Sequence, residues 1–488
     1  MSSKTHNSGY EPLSRIHNDS TQTTKKLSTI GLNEHQQQYL EKFVARYTQR
    51  TKTSKQLSQS YRPVLADNKN LGEFYLPLKE MYYPIVAKRS VGSKIWDVDD
   101  NEYVDVMMGL GINLFGHNPP FIKEALTEQL DKGIQIGPQS ELVGEVAELI
   151  CELTGMERVA FSNTGTEAVM TAIRLARTAT GRNKIVIFSG SYHGHFDGTL
   201  VKAQMLDGMH AVPIAPGVPQ NFVKDVLVLD YGNPQSLEII KAHEQELAAV
   251  LVVPVQTSRP SLQPKTFLQE LKQLTKESGI TLIFDEMITG FRIHPGGAQA
   301  YFGVDADIAT YGKIVGGGMP IGVIAGKAAY MDAIDGGMWN YGDDSYPSAK
   351  KTFFAGTFCK HPLAMAAARA VLKHLKTEGP VLQQQLNQRT SQFVVALNAY
   401  FEEDKVPIRM ANFGSLFGPA SSRNTNSVED SAASVGMDLL RYHLLDRGVH
   451  LLGASGYIST AHTDEDLNYI TQAVKDSVKE LREGGFLP

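Results

Sequence analysis

Lys313 follows the apolar run 308–311 after one glycine and stands in the stretch Tyr311-Gly-Lys-Ile-Val-Gly-Gly-Gly-Met-Pro320. Glycines on both sides let the backbone come close to a ligand. Desolvation and nearby positive charge lower the pKa of such a lysine and make it an amine nucleophile. A buried structural salt bridge would account for the same residue. Asp285 ends the apolar run 281–285 and opens Asp285-Glu-Met-Ile-Thr-Gly-Phe-Arg292. A carboxylate there is costly without a partner, which a protonated ring nitrogen, an N-cap or an internal salt bridge would supply. Asn163-Thr-Gly-Thr-Glu-Ala168 leads into a helix. Its N–H groups and hydroxyls suit a phosphate, although Thr164 with Glu167 would equally make a plain N-cap. Gly190-Ser-Tyr-His-Gly-His195 offers Tyr192, a ring that can stack on a flat ligand or simply pack. His193 and His195 have no third ligand nearby, so a metal site is rejected and hydrogen-bonded structure is expected.

These stretches end successive strands, and in open α/β sheets ligands bind beyond the C-terminal strand ends. A phosphate turn, an aromatic, a buried carboxylate and a lysine are four handles on one molecule. Pyridoxal 5'-phosphate has matching parts, because a carboxylate that keeps its pyridine nitrogen protonated makes the ring an electron sink. The expected chemistry is movement of amino groups.

The strands that must position these residues read as 159–162, 184–189, 226–229, 248–255, 281–285, 308–311 and 321–325. Most are flat apolar runs, the pattern of strands buried on both faces. Amphipathic helices such as 167–179 and 267–277 fill the gaps, which predicts a mostly parallel seven-stranded α/β sheet with helices on both sides. Residues 94–105 read as a β-hairpin turning at Asp99-Asp100-Asn101. Residues 1–33 are polar and expected to be a disordered tail. Residues 34–75 form a helical extension with Leu40, Phe43, Val44 and Tyr47 at helix spacing. Its Lys42, Arg46, Arg50, Lys52, Lys55 and Arg62 are either a solvated face or a basic docking surface. Residues 76–355 carry the sheet, and 356–488 a long helix from Thr357 and a smaller α+β domain. Residues 421–434 read as a loop.

Net charge is −5, which gives no support for a nucleic-acid binder. The longest apolar run, 247–255, is too short for a membrane helix. Two cysteines, Cys151 and Cys359, fit a reducing compartment, and a cytoplasmic location is expected. Dinucleotide, P-loop and zinc-protease motifs fail at Leu114, Asp343 and Leu247 respectively.

With these residues in hand, the chain resembles the class III (ω-type) aminotransferases of PLP fold type I, especially glutamate-1-semialdehyde aminomutase. The likeness runs from about Tyr83 to Asp466 and is most specific in 163–174, 189–194, 284–292, 310–322 and Phe354-Ala-Gly-Thr-Phe358. It implies that Lys313 is the Schiff-base lysine and proton shuttle, and that Asp285 pairs with the pyridinium nitrogen. Tyr192 would stack on one ring face and Met287 pack near the other, while Thr164, Gly165 and Thr166 hold the phosphate. Thr357 would reach the partner subunit's cofactor, which implies a homodimer with shared sites. Asn113-Leu-Phe-Gly-His-Asn-Pro-Pro, residues 254–264 and residues 336–343 further resemble aminotransferase domains of hybrid polyketide/nonribosomal peptide synthases. That likeness implies amination of a β-ketoacyl chain on an acyl carrier protein with an amino-acid donor, and the basic helix would then steer the acidic carrier. The alternatives are an aminomutase or a free-standing ω-amine transaminase; a non-catalytic interaction protein fits less well. One departure stands out: Val253-Pro254-Val255 replaces the Glu-Pro-Val of many class III enzymes, leaving Gln256 and Arg259 as candidate substrate-binding residues.

Overall fold

A computed structural model describes residues 31–67, 74–204, 211–420, 431–451 and 455–487. The tail expected to be disordered lies outside the described residues up to residue 30, and so does 421–430 of the expected loop. From Ser431 the chain is helical.

Helix α1 (Glu34–Arg50) starts at a capping box in which Asn33 and Gln36 each bond the other's backbone N–H. Thr51 separates it from α2 (Lys52–Tyr61). Leu40, Phe43 and Tyr47 are buried, and Phe43 stacks on His443 at 3.9 Å. Arg46 pairs with Asp446 and Glu480, each at 2.8 Å, and Lys55 pairs with Glu80. The extension is therefore packed on the body of the chain, with two of its cations held by the chain's own carboxylates.

Strands β1 (Ala87–Val91), β2 (Lys94–Asp97) and β3 (Glu102–Asp105) form an antiparallel meander. Asp97 Oδ1 accepts the N–H groups of Asp99 and Asn101 and so closes the expected turn. Helices α3 (Pro120–Lys132) and α4 (Leu142–Thr154) follow.

The large sheet is built from β4 (Arg158–Ser162), β5 (Lys184–Phe188), β6 (Val226–Leu229), β7 (Leu247–Val252), β8 (Thr281–Asp285), β9 (Ile308–Gly312) and β10 (Gly322–Gly326). Their order is β4-β10-β9-β8-β7-β5-β6. All neighbours are parallel except β10, which runs against both β4 and β9. Residues 313–321 are too few for a parallel crossover, which takes a dozen or more. Since β10 opposes both neighbours, β4 points the same way as β5, β8 and β9. Their C-terminal ends share one edge. Helix α5 (Gly165–Thr180), between β4 and β5, lays Ala168, Ala172, Ile173 and Ala176 against the sheet. Helix α6 (Lys265–Ser278) precedes β8, and α7 (Ala328–Asp335) follows β10.

Beyond the sheet come α8 (Pro362–Glu378), α9 (Pro380–Glu403), β11 (Met410–Phe413), β12 (Leu416–Pro419), α10 (Ser431–Asp446), β13 (Val449–His450), β14 (Gly456–Tyr457) and α11 (Asp464–Glu483). The long helix begins at Pro362, not at the expected Thr357. His361 caps it and Pro362 occupies the first turn, where a missing N–H costs nothing. Strand β13 pairs in parallel with β3, so residues 87–105 share a sheet with the C-terminal part of the chain. Asp105 clamps that joint: Oδ2 bonds His117 Nε2 at 2.7 Å and Oδ1 bonds His450 Nδ1 at 2.8 Å. The two histidines hold the buried carboxyl well below the usual carboxylate range. Among the described residues no helix is long and apolar enough to cross a membrane.

Candidate active site

The shared edge of β4, β5, β8 and β9 opens into a cavity of about 480 Å³. Asn163, Thr164, Gly165, Thr166, Tyr192, Asp285, Met287 and Lys313 all line it. Four separate stretches of sequence thus meet in one place.

Lys313 follows β9 with φ of 44°, a left-handed conformation that costs about 1–3 kcal/mol in a non-glycine residue. Burial lowers its pKa, the Asp285 carboxylate opposes that shift, and the Arg292 charge adds to it. Asp285, 4% exposed, accepts from Thr310 Oγ1 and Met287 N at 3.2 Å each through Oδ1. Its Oδ2 lies 2.8 Å from His193 Nδ1. His193 is equally buried, and its Nε2 has no hydrogen-bond partner among the described residues.

The Asn163–Thr166 turn does make an N-cap. Thr164 Oγ1 accepts from Glu167 N at 3.2 Å, and Glu167 Oε2 accepts from Asn163 N at 2.6 Å. The capping box leaves the N–H groups of the first helical residues, Gly165 and Thr166, without partners inside α5. They line the cavity at the positive end of the helix dipole. Cap and anion site are here the same structure. Thr166 Oγ1 also accepts from His195 N at 3.3 Å. That approach depends on Gly194, since a Cβ there would lie 2.3 Å from the same oxygen. Met287 fills the space between two glycines: a Cβ on Gly165 or Gly312 would fall 2.9 or 2.8 Å from its sulfur. Tyr192 stands at the mouth, 74% exposed.

Ile112, Val253, Ile288, Met319 and Ile321 make the opposite wall. Gln256 belongs to it and is 2% exposed; its Nε2 donates to Ser189 O and Ser191 Oγ, both at 2.9 Å. Arg259 does not line the cavity. Its Nη2 donates to Gln256 Oε1 at 2.7 Å and to Ser189 O at 3.1 Å, and its Nε to Gln256 Oε1 at 3.0 Å. The guanidinium of this candidate substrate-binding residue is engaged by the neighbouring glutamine. Thr357 lies outside the cavity of its own chain, in an exposed turn whose Gly356 stands beside Asn163.

Two features have little trace in the sequence. His193 was expected to be structural, yet it is the direct partner of Asp285; its place two residues before a second histidine, after a strand end, is the available clue. Arg292 is 1% exposed and donates to Gly111 O, Ser415 Oγ at 2.8 Å and Ile288 O at 3.1 Å. Burial lowers its pKa to about 10. It anchors the segment 108–111, where Met108 and Leu110 have φ of 46° and 59°. A Cβ on Gly111 would strike Tyr457 at 2.8 Å.

The donor set fits pyridoxal phosphate. Free helix N–H groups and Thr166 suit its phosphate, Asp285 its ring nitrogen, Lys313 its aldehyde, and Met287 and Tyr192 its flat faces.

The profile of the family "Aminotransferase class-III" matches residues 75–474. A glutamate-1-semialdehyde 2,1-aminomutase of Alkaliphilus oremlandii is 37% identical over 412 residues, covering 82% of this chain and 92% of that protein. One of Chloroflexus aggregans is 35% identical over 411 residues, covering 82% and 91%. Among solved structures, an omega-transaminase from Sphaerobacter thermophilus superposes with a TM-score of 0.78 at 30% identity, covering 88% of this chain and 98% of that one. A β-phenylalanine aminotransferase from Variovorax paradoxus gives 0.77 at 29%, covering 92% and 99%.

Proposed function

From the premise that this chain belongs to the class-III aminotransferase family, whose enzymes depend on pyridoxal phosphate, we propose that it moves an amino group between carbons, with Lys313 and Asp285 as the catalytic pair. The observation that carries this reading is the convergence of a partly buried lysine and a buried carboxylate at adjacent strand ends, beside a helix N-terminus.

When bound, the cofactor withdraws electrons from the carbon that carries the nitrogen. The chain's residues do the rest. Asp285, oriented by His193 and Thr310, would pair with the ring nitrogen and help hold a proton on it. The lowered pKa of Lys313 favours a neutral Nζ, which would hold the cofactor's aldehyde carbon with loss of water and, once displaced by an incoming amine, would accept a proton from the amine-bearing carbon and return it elsewhere. Gly165, Thr166 and the start of α5 would hold the phosphate, with Thr164 capping the helix. Tyr192 and Met287 would pack against the ring.

The resemblance to named aminomutases supports transfer within one molecule. The aliphatic wall with Val253, and the likeness to an omega-transaminase, favour a second reading in which donor and acceptor are separate. The charge argument for a tethered acceptor is weakened, since two of the six cations, Arg46 and Lys55, are paired within the chain. A second copy of the chain suits the exposed stretch with Met338, Tyr341, Tyr346, Phe353 and Phe358, and Thr357 lies in it. The test supplies glutamate 1-semialdehyde alone, and separately an isotopically labelled amine with an unlabelled oxo acid. Isomerisation without any second oxo compound supports the mutase, and label appearing in the oxo acid supports the transaminase. Neither product, with Lys313 and cofactor intact, removes the amine-transfer reading.

A further inference from the structure

Strand β9 is held from both faces just before Lys313. On one face Thr310 Oγ1 donates to Asp285 Oδ1 at 3.2 Å, and Asp285 lines the cavity. Tyr311 points to the other face, as alternation along a strand requires, and its hydroxyl accepts from Gln299 Nε2 at 2.8 Å. Gln299 is itself fixed. Its Oε1 accepts from Ala306 N at 2.8 Å, and its backbone N–H donates to Glu286 Oε1 at 3.0 Å. A chain of contacts thus leads from Glu286, the neighbour of Asp285, to Tyr311, two residues before Lys313.

Glu286 is 1% exposed and does not line the cavity. Its Oε2 accepts from Thr289 Oγ1 and, at 3.0 Å, from Ala298 N. All of these donors are neutral. Burial pushes the carboxyl up to about 7, against the pull of its hydrogen-bond donors. A carboxyl buried without a cation is costly, and a residue that only filled this space would be better apolar. The backbone around it is shaped to the carboxyl: a Cβ on Gly297, which has φ of 71°, would lie 2.6 Å from Oε1. The turn that follows Glu286 closes on the Tyr311 ring. A Cβ on Gly290 would lie 2.6 Å from that ring, and the Phe291 ring centre is 5.3 Å from it. Lys313 itself has φ of 44°. Strained backbone persists only where its surroundings over-determine it, and the two holds on β9 do so.

We propose that Glu286 is a positioning residue for Lys313: acting through Gln299 and Tyr311, it holds β9 from the face opposite Asp285 and so keeps the strained turn that presents Lys313 to the cavity. The proposal rests on the amine-transfer reading and adds to it a residue outside the cavity.

The test compares two ligands on cofactor-free protein. Pyridoxal phosphate needs Lys313 to regain its visible band. Pyridoxamine phosphate has the same ring and phosphate but no aldehyde, so its binding does not need the lysine. Glu286→Gln is expected to slow reattachment of pyridoxal phosphate roughly tenfold, and Tyr311→Phe, which removes only the hydroxyl, roughly threefold. Affinity for pyridoxamine phosphate, measured by calorimetry, is expected to stay at the wild-type value in both. In the double variant the two losses are not expected to multiply, because both cut one chain of contacts. In turnover of an amine the loss is expected in kcat and not in KM. Should Glu286→Gln fail to fold, Tyr311→Phe carries the comparison of the two ligands by itself. Wild-type reattachment in the variants, a parallel loss of pyridoxamine phosphate affinity, or losses that multiply each overturn the proposal. If the wild-type protein attaches pyridoxal phosphate at Lys313 yet takes nitrogen from no amine, the amine-transfer reading fails while the reattachment rates still decide the role of Glu286. No attachment at Lys313 in the wild type overturns both.

Discussion

The two halves of the active-site cavity are built on different principles. On the cofactor side several residues are held by partners from other strand ends. His193 and Thr310 hold Asp285, Gly194 lets His195 reach Thr166, and Met287 is wedged between Gly165 and Gly312. On the substrate side the wall is Ile112, Val253, Ile288 and Met319, with one polar lock, Gln256 held by Arg259. Buried polar partners fix a geometry to within a fraction of an ångström, because any other arrangement leaves a group unsatisfied. Aliphatic walls fix only shape and volume. One half defines a single ligand and the other a class of ligands.

The contrast predicts a hierarchy of effects. Lys313→Ala removes both the covalent anchor and the proton carrier, and turnover is expected to fall by on the order of 10⁴-fold. Turnover near the wild-type rate would end the case for the cofactor half. Asp285→Asn keeps the shape and removes the charge, with an expected loss on the order of 10²-fold and an altered cofactor spectrum. His193→Asn removes a hydrogen bond to a buried carboxylate, a loss of roughly ten- to a hundredfold. Because His193 acts through Asp285, the pH profile of the cofactor band is expected to move as well; an unmoved profile would make His193 a packing residue. The lowered pKa of Lys313 adds a pH signature. Reattachment of pyridoxal phosphate to cofactor-free protein requires neutral Nζ, so its rate is expected to rise with pH to a midpoint below 10.5. A midpoint above 10.5 would show that Asp285 outweighs burial.

The same contrast explains what could be read from the residues alone. Strands β5 to β9 are unbroken apolar runs, so their places along the chain were clear to within a few residues. Lys313, Asp285 and the Gly165-Thr166 turn were found because each breaks a local rule: a charge ending a buried strand, or glycine opening a helix. The partner of Arg259 was not legible, because its type permits a carboxylate grip or an ion pair, while its contact with Gln256 Oε1 is set by how residues 253–260 fold back over Ser189. Arg46 and Lys55 could be read as a solvated face or as a docking surface because Asp446, Glu480 and Glu80 are remote in sequence or masked by neighbours of the opposite charge. Asp105, joined to His117 and His450, was invisible for the same reason: the parallel pairing of β13 with β3 has no sequence signature.

The smallest expected effect is the most informative about the substrate half. Arg259→Ala removes three hydrogen bonds, two to Gln256 Oε1 and one to Ser189 O, while Gln256 Nε2 keeps its own bonds to Ser189 and Ser191. Gln256 is then held from one side only. With a net value of about 1 kcal/mol for a typical hydrogen bond, KM is expected to rise roughly fivefold. Cofactor absorbance and the rate at saturation would change little, because nothing on the Asp285 side is touched. Arg259→Lys is expected to recover only part of the loss, since an ammonium cannot reproduce the planar fork across Gln256 and Ser189. A different pattern would redraw the comparison. If KM rose a hundredfold for donors bearing a carboxylate and not at all for simple amines, Arg259 would turn toward the substrate when one is bound. The aliphatic half would then contain a charged handle of its own, and specificity there would follow charge as well as shape.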